Sequence, residues 1–78
     1  MAKTTEIKIT TEYITLGQFL KFANIIDFGG EAKMFLLTND VYVDGEIESR
    51  RGRKLRGGEQ VKVQGRTYLV IKDDSEGA

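Results

Sequence analysis

The chain has no cysteine, no histidine, no tryptophan and no proline in its 78 residues. Without cysteine there is no disulfide and no thiolate metal site. Without histidine the commonest general base and the imidazole metal ligand are missing, and with them the usual hydrolase triads. Only carboxylates remain for acid–base work, and no spacing sets up a paired acid and base. The chain therefore reads as non-enzymatic, with no cofactor and no metal. No apolar run approaches the ~20 residues of a membrane-spanning helix. The opening Met-Ala-Lys-Thr-Thr-Glu lacks the apolar stretch of a secretory signal. A cytoplasmic protein without membrane contact is expected. With no proline, nine glycines carry the punctuation.

What is present suits one small soluble domain: 40% hydrophobic and 31% charged residues. The formal net charge is zero, yet the charges are segregated along the chain. Residues 50–66 hold seven basic residues and one acid, a net +6, and the remainder is −6. Acids gather between Asp40 and Glu48 and in the tail at Asp73, Asp74 and Glu76. Segregation of this kind in a neutral protein points to one patch facing a polyanion.

Alternation over Glu6–Thr10 predicts a short strand. Thr15-Leu16-Gly17-Gln18 fits a capping box, with Ile14 and Phe19 at the staple positions. Leu16, Phe19, Leu20 and Ala23 then share a helical face, with Gln18 and Lys21 opposite, and Gly29-Gly30 is read as the helix end. Gly30 is read as N-cap of a second helix, with Ala32, Phe35 and Leu36 buried, Lys33 outward and Asn39 as a left-handed stop. About five residues would join the two helices into a hairpin. From Val41 the period becomes that of strands. Val41–Val43, a turn at Asp44-Gly45, and Glu46–Glu48 form one hairpin. Gly57-Gly58, a strand over Gln60–Val63, a turn at Gln64-Gly65 and a strand over Arg66–Ile71 follow. Phe19, Leu20, Ala23, Phe35, Leu36, Val43, Leu55, Val61 and Val63 are the expected core. One domain over residues 1–72 precedes a frayed acidic tail at 73–78.

Ser49-Arg50-Arg51-Gly52-Arg53-Lys54-Leu55-Arg56 is the most informative segment. Five cations on a loop between strands repel one another unless an anion offsets them, and arginine forks match phosphate bidentately. Leu55 is expected to pin this loop to the core. Phosphate binding is preferred to the plainer reading of a solvated turn. Phe28-Gly29-Gly30-Glu31-Ala32-Lys33 lacks the spacing of a nucleotide-binding loop, although Lys33 stands close enough to its helix start to touch a phosphate. Asp44, Glu46 and Glu48 lack calcium-loop spacing and read as exposed hairpin residues. Tyr42, opposite Val41 and Val43, is placed to stack on a base.

Taken in order, the two short helices, Val41-Tyr42-Val43-Asp44-Gly45, the basic segment and Gly58-Glu59-Gln60-Val61 resemble the RNA-binding domain of small-subunit ribosomal protein S-four. The likeness spans about residues 15–61, and Ile14–Lys21 with Arg50–Leu55 brings it closest to the small stand-alone members of the YaaA and YbcJ type. It implies an α+β fold, a two-helix hairpin on a small, curved, mostly antiparallel sheet (the αL motif). It also implies binding of structured RNA, ribosomal RNA or an RNA on the ribosome, by a monomer. Lys33 and Arg50, Arg51, Arg53 and Lys54 occupy basic positions of that motif. Arg56, Lys21, Gln18 and Tyr42 complete the candidate RNA-binding set. Thr15, Phe28-Gly29 and Asp44-Gly45-Glu46 stand where the family often has Arg, Ser-Arg and Asn-Gly-Lys. The loop is therefore expected to carry more of the grip. The alternative is an interaction module whose acidic half docks a basic ribosomal or nucleic-acid-bound protein.

Overall fold

Alternating apolar residues after Val41 build the sheet that supports everything else. A computed structural model describes residues 3–73. The strands are β1 (Thr4–Ile9), β2 (Ile14–Thr15), β3 (Val41–Val43), β4 (Glu46–Ile47), β5 (Lys54–Leu55), β6 (Gln60–Val63) and β7 (Arg66–Lys72), with helices α1 (Leu16–Phe22) and α2 (Ala32–Thr38). Among the described residues, five strands form one sheet in the order β1-β7-β6-β3-β4, and β2 pairs β5 in a separate antiparallel ribbon. Only the β1–β7 pairing in the large sheet is parallel. The α+β arrangement, two helices with a mostly antiparallel sheet, is the one expected from the sequence.

Register places Val41 opposite Val63, Val43 opposite Val61, and Val61 opposite Tyr68. All five are buried, so one face of the sheet is continuous core. The tight turns Asp44-Gly45 and Gln64-Gly65 hold positive φ at both residues (52° and 86°, 52° and 73°), the requirement of a two-residue hairpin turn. Leu16, Phe19 and Leu20 of α1 are fully buried and Ala23 and Phe35 partly so. Leu36, Leu55, Val43, Val61 and Val63 are also buried, and Ile9, Ile14, Ile26, Ala32, Val41, Tyr68 and Val70 extend the core beyond the expected set.

The capping box of α1 is present: the Gln18 N–H donates to Thr15 Oγ1 at 3.2 Å, and the Thr15 N–H donates to Gln18 Oε1 at 2.9 Å. The helix ends at Phe22 rather than at Gly29-Gly30. Asn24 turns left-handed (φ 60°), the Ile25 N–H donates to the Leu20 carbonyl at 2.9 Å and the Asn24 N–H to the Lys21 carbonyl at 3.0 Å. That pair of bonds is a Schellman stop. Burial explains it. Continued at helical spacing, Asp27 would join the apolar face beside Ile26 and Ile25 would oppose it; unwinding instead keeps Ile26 buried, packs Ile25 on the core and leaves Asp27 exposed.

The connection between helices is consequently nine residues, 23–31, not five. Gly30 lies inside a 3₁₀ turn (Gly29–Glu31) instead of capping α2. The Glu31 carboxylate accepts from the N–H groups of Asp27 and Phe28 at 3.1 and 2.9 Å. Asn39 ends α2 in an extended conformation (φ −134°), not a left-handed one, and its side-chain amide donates to the Phe35 carbonyl. At the other end of the chain the Asp73 N–H donates to the Ile9 carbonyl at 2.8 Å, so Asp73 is tied to the sheet. The rest of the acidic tail, 74–78, lies outside the described residues.

Candidate functional site

The basic segment is less of a loop than its composition suggests. Leu55 is fully buried, as expected, and Lys54–Leu55 is strand β5, paired with Ile14–Thr15 just ahead of α1. The preceding turn is hydrogen-bonded onto that helix: the Leu16 N–H donates to the Arg53 carbonyl at 2.7 Å and the Gly17 N–H to the Arg51 carbonyl at 2.9 Å. Two of the donors that a helix start leaves unsatisfied are thus met by backbone of the basic segment. Gly17 lets α2 pack closely on this helix start. A Cβ there would stand 3.2 Å from Ala32 Cβ and 3.5 Å from the Arg51 carbonyl oxygen.

This docking gathers Thr15, Gln18 and Lys21 from the start and body of α1, Gly29 from the connection, and Arg51 and Gly52 from the basic segment around one shallow groove. Three of the nine candidate residues thus share one surface depression. The other six are distributed differently. Lys33 is exposed on α2, beside buried Ala32. Tyr42 lies on the outer face of the sheet, across from Lys62, and lines a separate concavity with Asn39, Asp40 and Gln64.

Arg50 and Arg53 are engaged by Glu48. The Arg50 Nε and Nη2 donate to the two Glu48 carboxylate oxygens at 3.0 and 3.1 Å, and Arg53 Nη1 donates at 3.1 Å. Glu48 is 7% exposed, against the expectation of an exposed hairpin residue. Strand β4 stops at Ile47, but the Glu48 N–H still donates to the Val41 carbonyl at 2.8 Å, and the alternation that turns Ile47 outward with Tyr42 turns Glu48 to the core face beside Val41. The sequence carried a signal for this: an acid two residues ahead of an arginine cluster is within reach of a bidentate fork. Lys54 and Arg56 instead flank Tyr13, which the sequence reading did not single out.

The Arg50 side chain is the main cause of a Glu48 pKa held down to about 2 from 4.5; burial opposes it, and the Arg50 backbone N–H and Arg53 side chain add to the lowering. The same pair raises the Arg50 pKa. Because the folded pKa of Glu48 lies below the unfolded one, its stabilisation is complete above about pH 4.5 and is lost as pH falls toward 2. Glu48→Gln should cost about 1–3 kcal/mol at neutral pH, at the low end because Arg50 is mostly exposed. It should also flatten the acid limb of stability between pH 4.5 and 2, readable by urea titration at stepped pH. A parallel acid limb in parent and variant would show that Glu48 does not carry it.

A family model described as an S4 domain matches residues 7–71 of the chain. A protein of Bacillus subtilis (strain 168) called "Probable ribosome maturation protein RlbA" is 54% identical over 59 residues, which span 76% of this chain and 83% of that one.

Proposed function

The chain belongs to the S4 domain family, and from that premise we propose that it is a non-catalytic, cytoplasmic, monomeric binder of structured RNA, of ribosomal RNA in particular. The observation that carries this reading is the convergence of Gln18, Lys21 and Arg51 on one groove whose walls are fixed by backbone hydrogen bonds. The backbone that presents these cations needs little ordering when a phosphate arrives, so less of the contact free energy is lost on binding. The relative that is named for ribosome maturation supports a ribosomal source for the RNA. Among the described residues no helix is long and apolar enough to cross a membrane.

Double-stranded RNA hides its bases in a deep, narrow groove and offers 2′-hydroxyls and phosphates across a wide, shallow one. The groove's amide and cations suit that surface, and recognition should depend on shape more than on sequence. In a competition assay at physiological salt, a structured RNA should displace a DNA duplex of matched length. Equal affinity for the two would reduce the protein to a nonspecific polyanion binder. Binding to neither would leave the acidic half, and a basic protein partner, as the better reading.

A further inference from the structure

Tyr13, directly before β2, is 38% exposed. The Lys54 Nζ lies 4.9 Å from the ring centroid and the Arg56 guanidinium carbon 5.5 Å. The ribbon beneath enforces this grouping. Ile14 and Leu55 are paired and buried, so the alternation of strands turns their neighbours Tyr13, Lys54 and Arg56 outward together. Beyond the ribbon, the Glu59 carboxylate accepts from the N–H groups of Arg56 and Gly57, both at 2.8 Å, which fixes the backbone that presents Arg56. The Arg56 guanidinium also pairs with Glu12 at 3.7 Å, whose side chain is 82% exposed, a pair that water and salt screen.

The position of this cluster relative to the groove is telling. Gln18 lines the groove on the helix pair and also a second depression whose wall includes Tyr13 and Phe22. The two depressions thus adjoin at Gln18. We propose that Tyr13, Lys54 and Arg56 form a subsite for one unpaired nucleotide of the bound RNA: the two cations, which stand over the Tyr13 ring, move to the flanking phosphates, and Tyr13 stacks on the base. This rests on the RNA-binding reading above and adds a preference to it. Shape recognition of a duplex does not distinguish a perfect stem from one carrying an unpaired base. An exposed ring flanked by cations does, because only a base outside the stack offers its face to an aromatic side chain.

The test uses two RNA hairpins of equal length, one fully paired and one with a single bulged adenine. The parent should favour the bulged hairpin. Tyr13→Leu should lose about tenfold in affinity for that hairpin, with an unchanged salt slope because no cation is removed. It should bind the paired hairpin as the parent does. Tyr13→Phe should retain the preference. The chain has no tryptophan, so Tyr13→Trp supplies a single indole whose fluorescence should be quenched by the bulged RNA and not by the paired one. Equal binding of both hairpins by parent and Tyr13→Leu alike would overturn the subsite and leave the groove reading standing. So would a loss that is the same on both hairpins. Failure of the parent to bind either RNA would overturn both.

Discussion

Replacing Lys21 and Arg51 together by alanine should weaken binding of structured RNA about a hundredfold at low salt, while the protein melts as the parent does. Each side chain is exposed and each charge-assisted contact to phosphate is worth about 1.5 kcal/mol, so two remove about 3 kcal/mol. The dependence of log affinity on log salt should flatten by about 1.5, the release of two fewer counterions. Folding is spared because Arg51 supports α1 through its backbone carbonyl, which alanine keeps. Lys21 makes no side-chain bond among the described residues, and alanine is the best helix former. The broader replacement of Arg50, Arg51, Arg53 and Lys54 suggests itself from composition alone, as a loop change with little cost to folding. The structure argues against that expectation. Removing Arg50 and Arg53 strands the buried carboxylate of Glu48, so lost binding could not be separated from lost stability. Full RNA affinity and an unaltered salt slope in the folded double variant would refute the groove as the binding surface.

The largest loss of stability should come from Phe19→Ala. Phe19 is fully buried and meets Tyr68 edge to face, with ring centroids 5.5 Å apart and planes at 86°. That contact joins α1 to β7, the strand between β1 and β6. Truncation to alanine should cost about 3–5 kcal/mol, of which roughly 1 belongs to the ring pair. A domain of this size has only about 4–12 kcal/mol to lose. The midpoint of a thermal melt followed by circular dichroism should drop by about 20 °C or more. Phe19→Leu, which keeps most of the volume, should drop less. A fall under about 5 °C for the alanine variant would mean that α1 is not anchored through this ring.

How far each feature could be read from sequence depended on how local its cause is. The capping box of α1 involves residues three apart, and the turns at Asp44-Gly45 and Gln64-Gly65 need only a left-handed pair between alternating strands. These were legible. The end of α1 was not, although Asn24 and the misplaced Asp27 both mark it. Two glycines further on gave a stronger local signal, and only the packing of Ile25 on the core with Asp27 turned to solvent outweighs it. Among the candidate site residues, Arg51, Lys21 and Gln18 were named from composition and helical spacing. Nothing in their spacing shows that they share a groove, because the hydrogen bonds that bring them together link residues more than thirty apart in the chain.

By itself the sequence determined the α+β class, the segregated basic segment and the exclusion of histidine and cysteine chemistry. Those follow from residue type, period and short-range spacing. Tertiary structure alone decided which cations face solvent around the groove, which are held by Glu48, and which stand against Tyr13. The reason is physical: an arginine has the same charge wherever it lies, but its availability to a ligand depends on the acid or ring that the fold sets beside it. Glu48 is buried where strand pairing sets it beside Val41, and Tyr13 reaches Lys54 through the pairing of Ile14 with Leu55; both placements depend on partners distant in the chain or across a turn.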